Sequence, residues 1–156
     1  MTSSGEGDGE GLGYVLGFMR SLWALDHALR RASKEMKRRI GLTGPQRLAL
    51  RVVEQFPQST AGEIARVLHV HPSTLTGVLD RLGSSGLLRR KTDSNDRRRA
   101  RFELTAMGER AVRARAGTVE ERVRRALQGV PADDIRVARG VLKHLAEEFT
   151  NERSRR

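Results

Sequence analysis

Between Ser59 and Leu104 the chain passes through two short helical patterns, a tight turn and two alternating segments, and this order restricts the possible folds more than any single residue does. Ser59 or Thr60 can cap the first helix, with Glu63 placed to complete a capping box and Ile64, Ala65 and Leu68 turned inward. The turn HVHP then leads into STLTGVLDRL, where Pro72 suits a first helical position and Leu75, Val78, Leu79 and Leu82 form an apolar face. The opposite face carries Ser73, Thr74, Thr76, Gly77, Asp80 and Arg81, and near its N-terminus it is small and polar. Gly83 to Gly86 break the pattern, after which LLRRK and ARFEL read as two strands joined by TDSNDRRR, a β-hairpin with a basic tip.

Helical patterns flank this core. Apolar residues from Leu12 to Ile40 recur at the spacing of one long helical face, ended by Gly41. In LTGPQRLALRVVEQFP, Thr43 can cap and Pro45 fits the first turn of a helix whose apolar positions are Leu48, Leu50, Val52, Val53 and Phe56. Another helix is expected from Thr105 to about Gln128, and a last one from about Ala132 to Phe149, opened by Asp133 and Asp134. The expected organisation is a loose N-terminus over 1–11, helices over 12–40 and 105–150, a compact lobe over 41–104, and a loose C-terminus over 151–156. The fold class is mainly α with one small β-hairpin.

Charge narrows the function. Lys plus Arg number 30 against 19 Asp plus Glu, a formal +11, which favours polyanionic partners. Residues 89–101 concentrate it, with seven basic side chains and two acidic ones. No apolar run approaches the ~20 residues of a membrane span, and the acidic, Gly-rich start is unlike a signal peptide, so a cytoplasmic protein without a membrane partner is expected. The chain has no cysteine, hence no disulfide, thiolate zinc site or Cys-based redox switch. No nucleophile with a base, carboxylate pair in a motif or phosphate loop stands out, and the reading is of a protein that is not an enzyme and uses no cofactor.

Two helices joined by a tight turn and followed by a basic hairpin is the order of a winged helix-turn-helix. A helix fits the major groove of B-DNA with its N-terminal side chains at base edges, which makes Ser73, Thr74, Thr76 and Arg81 candidate readers. A hairpin tip can place arginine in the minor groove or on phosphates, and Arg97, Arg98, Arg99 and Arg101 are the candidates there. The first helix and the last two carry long apolar faces that one small lobe cannot cover, so pairing with a second chain is expected, with half-sites about 10 base pairs apart.

Residues 73–108, STLTGVLDRLGSSGLLRRKTDSNDRRRARFELTAMG, resemble the MarR family of bacterial transcription regulators, in the LDRL segment, the Gly-Leu-Leu entry to the wing, the Asp-Arg-Arg tip and the closing Leu-Thr-x-x-Gly. The resemblance extends as a helix order over roughly Leu12 to Phe149. It implies a homodimer with interlocked terminal helices that reads a pseudo-palindrome in double-stranded DNA. It also implies a repressor released by a small phenolic or anionic ligand, and a wing aspartate, here Asp96, that orients an arginine, here Arg98.

Blander readings stand beside these. The arginines from Arg110 to Arg125 are interspersed with acids and read as a solvated face. Ser73, Thr74 and Thr76 can be plain capping and surface residues. His27, His69, His71 and His144 lack the spacing of a metal site and read as structural or surface residues, His71 as a helix cap. Trp23, Asp26 and His27 can line a ligand pocket, but the preferred reading puts Asp26 at the edge of the apolar stripe and Trp23 in a dimer core. The competing functions are a nucleoid-type protein that coats DNA without sequence choice and a winged adaptor that binds other proteins.

Overall fold

A computed structural model describes residues 7–93 and 99–151, and the expectations for 1–6, Asp96, Arg97, Arg98 and 152–156 lie outside the described residues. The chain divides into two compact units, Met1–Gly44 and Pro45–Arg156. The described residues form seven helices and one three-stranded antiparallel sheet, which confirms the mainly α class with a small hairpin. Among them no helix is long and apolar enough to cross a membrane.

The first unit is α1, Gly7–Ile40. It begins five residues before Leu12 because an established helix adds residues at its end at little cost, each gaining one hydrogen bond. Lys37, Arg38 and Arg39 place positive charge at its C-terminus, and Gly41 ends it with φ +76. Tyr14, Val15, Leu16 and Trp23 are exposed on it.

The second unit continues α2 (Gly44–Gln55) and adds β1 (Ser59–Thr60), α3 (Ala61–Leu68), α4 (Pro72–Ser84), β2 (Leu88–Thr92), β3 (Ala100–Leu104), α5 (Ala106–Arg113), α6 (Val119–Ala126) and α7 (Ala132–Asn151). Its core is Ala49, Leu50, Val52 and Val53 of α2, Ile64 and Ala65 of α3, and Leu75, Leu79 and Leu82 of α4, with Leu87, Leu88 and Val112. The sheet order is β1-β3-β2, and Leu88 pairs with Leu104, Arg90 with Phe102 and Thr92 with Ala100. Strand β1 is additional to the hairpin expected from sequence. At two residues it is too short to show a pattern, and it exists because β3 offers it a partner.

The wing is tied to the helix that follows it by one threonine and one glycine. Thr105 caps α5 by accepting from Gly108 N–H at 3.1 Å, while its hydroxyl donates to the Gly86 carbonyl at 2.6 Å. A Cβ on Gly108 would lie 2.1 Å from the Leu87 carbonyl oxygen, so only glycine permits this approach. The Leu-Thr-x-x-Gly closure is thus a packing device.

The structure departs from the sequence pattern in two places. Leu48 and Phe56, two of the apolar positions of the second helical pattern, are exposed, and the buried stretch instead contains Arg47. The single helix expected from Thr105 to Gln128 is two. Gly117 turns the chain at φ +75, and Thr118 caps α6 by accepting from Glu121 N–H at 3.2 Å. Arg47 explains both differences. Only 3% exposed, it donates from Nη1 to the Ala111 carbonyl at 2.6 Å and from Nη2 to those of Val112 at 3.0 Å and Ala114 at 2.6 Å, and from Nε to Glu120 at 2.7 Å. The carbonyls left unpaired at the end of α5 are satisfied by a cation, which favours ending the helix there.

Arg47→Met, which keeps the volume and removes the donors, is expected to lower the unfolding free energy by about 2–4 kcal/mol. Glu120→Gln, at the exposed end of the same network, should cost less than about 1 kcal/mol. Urea titrations of both variants check this, and equal losses would mean that the ion pair, not the carbonyl cage, is what matters.

Candidate nucleic-acid interface

Helix α3 ends at His69, whose φ of +52 lets Val70 N–H return to the Ala65 carbonyl at 3.0 Å and sets the direction of the next helix. At the front of α3, Thr60 and Glu63 form the expected capping box. The Thr60 backbone N–H and then its hydroxyl hold the Glu63 carboxyl below its ordinary range, with Arg101 and Arg66 adding to the effect.

Helix α4 is capped by His71, as expected, with Pro72 in its first turn. Leu75, Leu79 and Leu82 are buried, which leaves Ser73, Thr74, Thr76, Gly77, Asp80 and Arg81 exposed. Arg81 lies in the last turn, far from Ser73 and Thr74 at the N-terminus. Nothing within 4 Å would meet a Cβ on Gly77, so no contact in the fold demands glycine there, although glycine costs a helix about 1 kcal/mol relative to alanine.

The structure sorts the basic residues of the wing. Glu103 takes Arg89 and Lys91, both at 2.9 Å, and these hydrogen bonds, Lys91 first, hold its carboxyl below the usual range. Arg101 has internal partners as well. Its Nε donates to Asp93 at 2.7 Å and its Nη1 to the Gln58 carbonyl at 2.9 Å, and Asp93 is 5% exposed. Arg101, grouped with the DNA-facing arginines on sequence, therefore has the geometry of a brace between β3, the end of β2 and the residue before β1.

Arg90 and Arg99 take another direction. With Arg66 of α3 they line an open cleft of about 710 Å³ whose other walls include Thr76, Asp80 and Glu63. Arg66 was missed by the sequence reading; its only trace there is a position three residues past Glu63 on a short helix, which does not distinguish it from a solvated residue.

The remaining candidates are on α1 of the first unit. Trp23, Asp26 and His27 are exposed on α1, and Asp26 is paired with Arg30 at 2.7 Å, which gives the carboxylate a partner. Among the described residues no group of His, Asp and Glu could hold a metal ion.

Asp93→Ala and Arg101→Ala are each expected to lower stability by about 1–3 kcal/mol, and the double variant by less than the sum, because the two share one interaction. A thermodynamic cycle by denaturant unfolding measures the coupling, and strict additivity would rule out the brace.

Comparison with known proteins locates this geometry in a family. Residues 42–100 match the model of the MarR family. The chain is 25% identical over 138 residues to the uncharacterized HTH-type transcriptional regulator YsmB of Bacillus subtilis, covering 88% of this chain and 94% of that protein. It is 34% identical over 108 residues to the HTH-type transcriptional regulator TtmR of Methylorubrum extorquens, covering 69% of this chain but only 54% of that protein. Among solved structures, a MepR-like protein complexed with pseudoligands superposes with a TM-score of 0.75 at 22% identity, covering 87% of this chain and 96% of that one. The Staphylococcus aureus MepR–DNA complex gives 0.71 at 19% identity, covering 84% and 97%. These superpositions establish the winged helix-turn-helix fold, and the match to the MarR family falls on the segment that builds the turn, α4 and the base of the wing.

Proposed function

We propose that the protein is a transcriptional repressor that binds a pseudo-palindromic site in double-stranded DNA as a homodimer and is released by a small phenolic or anionic ligand. The observation that carries the DNA reading is the exposed polar face of α4 beside a cleft lined by Arg66, Arg90 and Arg99. In this reading 41–104 is the DNA-binding lobe, Ser73, Thr74 and Thr76 approach base edges, and Arg81 and Arg90 approach phosphates. Arg97, Arg98 and Arg99 serve the wing with Asp96 orienting Arg98, while Arg101 braces it from within. The solved structure of S. aureus MepR bound to DNA supports the assignment.

The helices over 12–40 and 105–150 would then supply the dimer interface. Exposed Leu16 and Trp23 on α1, and separately Val141, Leu142 and Phe149 on α7, are apolar surface of the kind that pairing buries. The MepR-like structure with pseudoligands supports a small-molecule effector, and Trp23, Asp26 and His27 are where we would look for one. A cytoplasmic location follows from a DNA partner.

Selection from a random duplex pool at physiological salt tests the reading: a shared two-fold motif with half-sites about 10 base pairs apart is expected. Survivors without a motif would favour a coating protein, and no binding at low salt would favour an adaptor. Arg98→Ala should weaken binding to all sequences and reduce the slope of log K against log[salt] by about 1. An unchanged slope by fluorescence anisotropy would remove Arg98 from the interface.

Gly77→Ala gives a test in which stability and binding move in opposite directions. The variant should gain about 0.5–1 kcal/mol of stability, because alanine is the better helix former and the site is open, while losing DNA affinity if the α4 backbone approaches the duplex closely. Calorimetry and anisotropy on the same sample read both, and unimpaired binding would place Gly77 away from DNA.

A further inference from the structure

The exposed face of α4 has a hydrogen-bond polarity set by its cap. His71 Nδ1 is placed to accept the Ser73 backbone N–H at 3.2 Å, and the tautomer that makes this bond carries its ring hydrogen on Nε2. Ser73 Oγ lies 2.7 Å from the same Nδ1. A nitrogen without a hydrogen can only accept, so the serine hydroxyl donates inward to the cap and turns its lone pairs outward.

Thr76 repeats the arrangement one turn later. Its Oγ1 donates to the Pro72 carbonyl at 3.0 Å, which again consumes the hydroxyl hydrogen and leaves an acceptor outside. Four residues beyond, Asp80 adds a carboxylate, which accepts and does not donate. Ser73, Thr76 and Asp80 are all exposed and spaced by three and four, so they form one row on the helix surface.

We propose that this row reads exocyclic amino groups in the major groove, adenine N6 or cytosine N4, and discriminates against guanine O6 and purine N7 at the facing positions. The proposal rests on the assignment of α4 to the major groove and specifies what it recognises there. The chemistry is complementary: adenine N6 and cytosine N4 are the donors that the major-groove edges present, whereas guanine offers only acceptors. An acceptor facing guanine O6 would leave both groups desolvated and unpaired.

His71 is then a positioning residue. It sets which way Ser73 points its hydrogen. Removing the imidazole frees that hydrogen to face the DNA, and Ser73 becomes able to donate as well as accept.

The test uses the full chain and a duplex selected from a random pool, remade with single groups deleted. Purine in place of adenine, or a 4-deamino analogue in place of cytosine, removes an amino group; 7-deazapurines remove the N7 acceptor. At one or two positions per half-site, loss of the amino group is expected to weaken binding by about five- to 150-fold, while the 7-deaza change there leaves it unaltered. Ser73→Ala and Thr76→Val should each reduce this sensitivity, Thr76→Ser should retain it, and His71→Ala should relax base preference at the position read by Ser73. Sensitivity to N7 without sensitivity to amino groups would overturn the proposal, as would amino sensitivity that survives in the Ser73→Ala, Thr76→Val, Asp80→Ala triple variant. A pool without a shared motif would instead overturn the assignment of α4 as a sequence reader, and this inference with it.

Discussion

The guanidinium of Arg47 is the contact on which the second unit most depends. A buried cation is costly unless every donor finds an acceptor, and Arg47 finds three main-chain carbonyls and one carboxylate. Those carbonyls belong to the last turn of α5 and the residue after it, where a helix leaves acceptors unpaired. One side chain therefore ties α2 to the end of α5 and to the first turn of α6.

The rest of the unit uses the same economy. Thr105 caps α5 and binds the Gly86 carbonyl, Gly108 allows the helix to approach Leu87, and Arg101 with Asp93 braces the wing. Each device joins groups from two different segments of the unit. The wing's position therefore rests on directional contacts as well as apolar burial, and these fix orientation in a way that burial does not.

The concentration of charge on the hairpin has a two-part explanation. Some of it is structural: Arg89, Lys91 and Arg101 are held by Glu103 and Asp93. Arg90 and Arg99 line the cleft beside α4 with Arg66. A count of basic residues does not separate the two groups, since alternation along β2 sends Arg90 to the face opposite Arg89 and Lys91.

The winged order, the capping box at Thr60 and Glu63, the His71 cap and the exposed polar face of α4 were all legible in the sequence, because each arises from interactions within a few residues. Tertiary structure decided the rest. Arg47 reads locally as one more surface arginine, β1 has no pattern of its own, Arg66 lies in a helix of eight residues, and the break between α5 and α6 interrupts a periodicity that otherwise runs on. The partners of Arg47 are 64 to 73 residues away, and Arg101 reaches the Gln58 carbonyl across 43; a sequence pattern carries no information about a contact whose two ends are so far apart in the chain.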